Sequence, residues 1–410
     1  PYIVNHYDLI TTAPPSSKRD PLKYCTYDLE PFHPDGFILT DRKGRKYYIY
    51  RIAEDKFHLE QIELPSGITI TFTENGILHS TGKEVKIIRD DEGRITEIRV
   101  GERIRRYEYD ENGNLVKFID EEGKEYRYQY DDNHYLTAII DPRGVNILNA
   151  QYQNGRLSTI TDAQGNQINL EHDLEDKREI ITDARGNTTI YEYNDKGLVT
   201  RIIHPDGSTT TYTYDEYGNK LSETCPLGHT THYSYDEKGN LTSITDPLGN
   251  TTYYSYNQFG EVTSITDPYG HITTHEYDSR GNRIKTIDAL GNVTQYFYDE
   301  NSNLIAIVDP QGNRKEFSHN QYGWVTEERF YDRDGNLIQR ITYTYDEVGN
   351  QTSRTIYRNG EPITTYYEYD ALGRITKVTD PYGNYTQTLY NEIGKAWKVR
   401  GKNGNWTEYK

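Results

Sequence analysis

The sequence predicts an all-β fold: tandem β-hairpin repeats of about 21 residues forming one continuous, curved or spiralling antiparallel sheet, a partial hollow shell. Three observations carry that expectation. The first is a strict period. Acidic or amide residues recur at 173, 194, 215, 236, 257, 278, 299 and 320, a constant step of 21. A second series with the same step runs between them: Asp120, Asp141, Asp162, Asp183, His204, Cys225, Asp246, Asp267, Asp288 and Asp309. The second observation is turn chemistry at both series. The third is strand composition between them.

Each unit reads Tyr-x-Tyr-Asp-x-x-Gly-Asn, a short apolar run, Asp-Pro-x-Gly-Asn and a Thr-rich run. The first turn follows Tyr109-Asp110, Tyr130-Asp131, Tyr214-Asp215, Tyr235-Asp236 and Tyr298-Asp299. The second spans Asp246-Pro247-Leu248-Gly249 and Asp267-Pro268-Tyr269-Gly270, and begins again at Asp309-Pro310. Asp at the first position and Gly at the fourth is the type I preference, and Pro at the second already has the required φ. Between turns lie about six to eight residues rich in Thr, Tyr, Ile and Val, the length and composition of a strand. Two strands and two turns complete the unit.

Alternation places Tyr212 and Tyr214 on one face and Thr211 and Thr213 on the other. The return strand is less regular. Leu241 and Ile244, like Ile284 and Ile287, are three apart. Either a bulge intervenes or both faces are partly covered.

Along the chain, residues 1–40 form a non-repeat N-terminal segment in which Pro14-Pro15-Ser16-Ser17 reads as a loop. Residues 41–90 hold degenerate repeats, and 91–410 hold the main array, irregular after 320. About fourteen units, some 28 strands, make a sheet too wide to stay flat; it should curl into a hollow ring or spiral and stack on itself.

Composition agrees. The 410 residues are 34% hydrophobic, a poor supply for one thick core, yet 40 Tyr argue against disorder. Mean hydropathy is −0.92, with no apolar run of the ~20 residues that span a bilayer, so no membrane insertion is expected. A net charge of −18 disfavours nucleic acid, and the basic strip Arg103, Arg105 and Arg106 reads as a solvated strand face. Cys25 and Cys225 could form one disulfide but offer no zinc spacing. The chain opens Pro1-Tyr2-Ile3 and contains no Met, so it is expected to be a fragment of a longer protein.

The Tyr-Asp pairs and the Asp-Pro-x-Gly-Asn turns resemble the YD repeats of the Rhs family, closely over about residues 90–395 and weakly over 41–90. That family includes bacterial polymorphic toxins, encapsulating components of toxin complexes, wall-associated proteins and teneurins. The resemblance implies a sheet wound into a hollow shell, which in the toxin members encloses a cytotoxic C-terminal domain. The Asp-Pro-x-Gly-Leu signature that ends the toxin shells has no counterpart here, so the self-cleaving Asp pair of those shells cannot be placed. This chain should supply roughly one turn of a spiral and enclose little by itself.

The repeated aspartates could form a calcium array, but each unit offers one carboxylate per turn, and His204 and Cys225 interrupt the series. Asp90-Asp91 and Glu121-Glu122 read as solvated turn acids rather than an acid/base pair. His229 and His232 read as strand surface rather than metal ligands, and no nucleophile or phosphate-loop motif occurs. Glycosylation triplets at Asn187, Asn240, Asn250 and Asn292 are generated by the repeat itself.

The expectation is therefore a non-catalytic, cofactor-free structural segment of a secreted or cell-surface protein, most simply bacterial. Its partner is the remainder of its own polypeptide. The alternative is a glycan- or protein-binding adhesion module that uses outward tyrosines. Open strand edges invite self-association.

Overall fold

The structure, a computed structural model, describes residues 9–10, 35–53 and 56–409. All 37 elements among the described residues are strands, joined in one antiparallel sheet that does not close. Strands consecutive in sequence pair, as Thr230–Tyr235 does with Lys220–Thr224 on one side and Leu241–Thr245 on the other.

The strands outnumber the expected 28: the main array alone holds 30 among the described residues, and the degenerate region adds hairpins of uneven length. Lys46–Ala53 pairs with Lys56–Glu63, and Thr69–Thr73 with Gly76–His79. Most of the 1–40 segment, Cys25 included, lies outside the described residues; Leu9–Ile10 pairs with Gly36–Thr40. Cys225 forms no disulfide with any described residue.

The irregular return strand is explained by a recurring bulge. Tyr235 stands opposite Leu241, Ser234 opposite Ser243 and Tyr233 opposite Ile244, so Thr242 is the extra residue. Leu241 and Ile244 therefore share the face of Tyr233 and Tyr235. The same shift occurs beside Tyr130, Tyr193, Tyr214, Tyr256, Tyr298 and Tyr369. A bulge bends and twists its strand and re-aims side chains.

Burial is shallow. Only Ala138, Ala150, Ala306 and Ile341 are buried apolar residues among those described, and no large side chain is fully enclosed. Stability in such an array comes from hairpin-to-hairpin contacts rather than from one thick core.

The chain divides into two compact units. The first comprises Pro1–Arg106, His275–Leu389 and Ala396–Lys410; the second comprises Tyr107–Thr274 and Tyr390–Lys395. Successive turns fall alternately on two edges of the sheet, one carrying the Tyr-Asp turns and the other the Asp-Pro turns. Within the first unit these edges meet. Arg42 donates from Nε to the Ser279 carbonyl (2.9 Å) and from Nη2 to that of Asp278 (3.0 Å). The Ser66 amide donates to Asn301 Oδ1 (3.2 Å). Lys83 Nζ lies 3.6 Å from the Tyr322 ring centroid and 4.2 Å from that of Trp324. Within the second unit, Lys124 Nζ donates to the Asn391 carbonyl (3.3 Å). Each unit thus stacks a Tyr-Asp turn on an Asp-Pro-edge turn more than two hundred positions away.

Candidate functional site: the tyrosine and aspartate array

The Asp-Pro turn is a closed hydrogen-bond set. At Asp246, the backbone carbonyl accepts from the Gly249 amide (3.0 Å) and the Asp246 amide donates to the Asn250 carbonyl (2.9 Å). Oδ1 accepts from the amides of Leu248 and Asn250, both at 2.8 Å. Oδ2 accepts from Asn250 Nδ2 at 2.8 Å. Gly249, at φ +87°, completes the turn where a side chain would be strained. Pro247 has no amide to leave unpaired. Asp309, beside Pro310, repeats the set with Gln311 and Asn313. Asp267 repeats it with Tyr269 and His271, whose Nδ1 replaces the Asn amide (2.8 Å), and Gly270 closes the turn.

The Tyr-Asp turns use the same chemistry. Asp110, Asp215, Asp236 and Asp299 each bind two amides through Oδ1 and an Asn side chain through Oδ2. Asp131 binds the amides of Asn133 and Tyr135. The Asn bonds hold the Asp246, Asp183 and Asp236 carboxyls below the usual carboxylate range.

Four of the Tyr residues that precede such an Asp, Tyr130, Tyr214, Tyr235 and Tyr298, tie their hairpins to the one before. Tyr235 Oη donates to the Lys220 carbonyl (3.0 Å), at the start of the previous return strand. Tyr130, Tyr214 and Tyr298 reach Leu115, Val199 and Arg283 in the same way, at 3.0, 2.7 and 3.0 Å. Tyr256, Tyr345 and Tyr369 extend the series. Burial raises the phenol pKa of Tyr130, Tyr214, Tyr235 and Tyr298. Tyr109 ends the strand Arg103–Tyr109, with Asp110 opening the turn.

On the opposite face, the third position of the return strand holds a small residue in several repeats and Lys or Arg in others, as at Lys117 and Arg201. Ala138 and Ala306 are 3% and 1% exposed. Glu97 and Glu327 take that position where they occur, half-ringed by arginines: Arg99 and Arg106 for the first, Arg329 and Arg340 for the second.

The remaining candidates are dispersed into this framework. Asp90 caps its own turn through Arg94, and Glu122 pairs with Lys124. Arg106, from the basic strip, is engaged by Glu97. His229 lies on an exposed turn and His232 on an exposed strand face. The Nδ2 atoms of Asn187, Asn240, Asn250 and Asn292 are each committed to a capping carboxylate. The acids are thus arranged to hold the backbone, one per turn.

The teneurin YD-shell family model matches residues 65–224 and 165–287, and the RHS repeat model matches 277–314 and 345–385. The chain belongs to the Rhs/YD-repeat family. The YD shell is its architecture, and the tyrosine ties and capped aspartates are the parts of which this segment of it is made. Among solved structures, the fold is similar to that of TcdB2-TccC3-TEV, with a TM-score of 0.65 and 15% identity over 89% of this chain. It is similar also to TcdB2-TccC3 without its hypervariable C-terminal region, with a TM-score of 0.63 and 14% identity over 90% of this chain. The YD segment spans about a quarter of those chains, 25% and 26%. No curated protein matches.

Proposed function

We propose that this YD-repeat chain is a non-catalytic wall segment of a secreted or cell-surface protein, and that its sheet encloses or presents another domain of a longer polypeptide. One observation carries the reading: the residues with the most chemical potential are consumed by architecture. The capping carboxylates accept three hydrogen bonds each at Asp215, Asp236, Asp246, Asp299 and Asp309. The ladder hydroxyls donate to backbone carbonyls of the preceding hairpin. A glycan-binding ladder needs its hydroxyls and ring faces free, so the adhesion alternative draws less support. Family membership and the toxin-complex structures of similar fold favour a shell.

The test is protection. The longer polypeptide is treated with protease, with and without Tyr→Phe changes at the ties of Tyr214, Tyr235, Tyr256 and Tyr298. Slow cleavage of the adjoining domain that becomes fast in the tie variant supports enclosure. Equal cleavage in both removes it. Turnover of any substrate that depends on the capping carboxylates would overturn the non-catalytic part separately.

A further inference from the structure

One rung of the tie ladder is built from different groups. His172 holds the slot of the tying tyrosine, one position before Asp173, and its Nε2 reaches the Leu157 carbonyl (2.7 Å), 15 positions back. Tyr235 reaches Lys220 across the same interval. The facing position has changed as well. Tyr235 stands opposite Leu241 and Tyr298 opposite Leu304, but His172 stands opposite Glu179, and its Nδ1 meets Glu179 Oε2. This hairpin pairs without the register shift found beside those tyrosines. Both side chains are half-buried. A histidine in the slot is not enough by itself: His319, opposite Val325, makes no ring hydrogen bond to a described residue.

Both ring nitrogens of His172 therefore face acceptors. A neutral imidazole offers one N–H and one lone pair, while a carboxylate and a carbonyl offer lone pairs alone. The rung as built holds one proton more than a neutral imidazole and a carboxylate would. We infer that the His172–Glu179 pair makes this rung a pH-sensitive clasp, complete while the pair keeps that proton and weakened when the proton leaves for solvent. After its loss, a ring lone pair must face either the carboxylate or the carbonyl, and one of the two bonds is forfeited. The rung is thus closed on the acid side and loosens as pH rises through the range, about pH 5 to 8, in which histidine ordinarily changes charge. The tyrosine rungs have no such step there. Other charged groups nearby are engaged or face away. Arg178 binds Asp173 and Asp176, and Lys177 binds Asp195. Glu171 lies across from Ile180 on the other face, and Arg156, opening the preceding strand, is exposed. Beyond Glu179 stands Tyr191 of the next strand.

The clasp holds whatever the wall encloses. Amide exchange is followed from about pH 5 to 8, with protection expressed relative to the tyrosine rung at 220–224 and 230–235, which cancels the base catalysis of exchange. Relative protection of the strands Arg156–Asp162 and Gln167–Asp173 should fall roughly fivefold across that range, the worth of one hydrogen bond. Glu179→Gln should abolish the step and keep the protection, because an amide donates to the Nδ1 lone pair of a neutral ring as readily as it accepts from a charged one. His172→Tyr/Glu179→Leu, which copies Tyr235 and Leu241, should abolish it too, and covers the case in which the Gln variant does not fold. Relative protection that stays flat in the wild-type chain overturns the inference. So does a step that survives in Glu179→Gln or in the double variant, which would assign it to another group.

Discussion

Tyr235→Phe isolates one inter-hairpin tie. The substitution removes the hydroxyl that donates to the Lys220 carbonyl at 3.0 Å and leaves the half-buried ring in place opposite Leu241. A hydrogen bond of this kind contributes about 1 kcal/mol net, because water replaces part of what is lost. That is roughly a fivefold change in a local opening equilibrium. In a repeat array each hairpin contacts mainly its neighbours, so the effect should stay local, and a single global unfolding energy is the wrong quantity. Amide hydrogen exchange is the suitable assay. Exchange should quicken roughly fivefold in strands 220–224 and 230–235 and stay unchanged in the distant pair 314–319 and 325–331. Tyr217→Phe is the control: its ring is 82% exposed and makes no tie. Equal acceleration by both variants, or none by Tyr235→Phe, would refute the claim that the ladder hydroxyls join the hairpins.

Three further outcomes follow from the same geometry. Acid should loosen the array: the folded carboxyls of Asp183, Asp236 and Asp246 titrate below their unfolded value of about 3.9, so their stabilisation is present above that pH and is lost as pH falls through the folded value, measurable as a falling denaturation midpoint. Alkali should act from the other side, because the tied phenols are raised above about 10; stability is complete below that value and disappears as pH rises through the folded one, with phenolate absorbance appearing late and together with unfolding. Gly249→Ala, at φ +87° with open space around it, should cost about 1–2 kcal/mol of local strain, whereas Gly349→Ala should cost more because the new Cβ would sit 2.7 Å from Trp324 Cζ2; exchange in the flanking strands measures both.

The hairpin period was legible because every unit repeats the same turn chemistry, and turns are the part of a β-array that sequence specifies most locally. The role of the Asn after each Gly was less legible. In sequence, Gly218-Asn219 and Gly239-Asn240 read only as part of the pattern, while in the structure each Asn amide fills the second carboxylate oxygen of its turn. The bulge was visible only as an anomaly of spacing. Leu241 and Ile244 violate alternation, and two explanations remained until the register showed Thr242 displaced. The bulge also accounts for Lys220 and Glu223, which become neighbours at 2.7 Å and place a cation 4.7 Å from the Tyr233 ring centroid. Contacts such as Arg42 on Asp278 were not legible at all. They join residues 236 positions apart, and no local pattern specifies which turn meets which.

The buried glutamates separate structural cost from chemical interest. Glu327 occupies a position that holds Ala138 and Ala306 in other repeats, so its site accepts a methyl group without difficulty. Its side chain is 12% exposed, whereas those of its partners Arg329 and Arg340 are 40% and 41% exposed. The asymmetry sets the sign of a comparison. Removing the carboxylate leaves two guanidiniums that already reach water, and Glu327→Ala should cost only about 1 kcal/mol. Removing the arginines leaves a largely buried carboxylate without its counter-charges, and Arg329→Thr/Arg340→Thr should cost more, about 2–3 kcal/mol. Adding Glu327→Ala to the double arginine variant should then restore stability rather than lower it further, a coupling that a thermodynamic cycle reads directly. If Glu327→Ala instead proves the most damaging of the three, the carboxylate is doing something the sheet alone does not require. The search for chemistry in this array should then begin at that residue rather than at the turn aspartates.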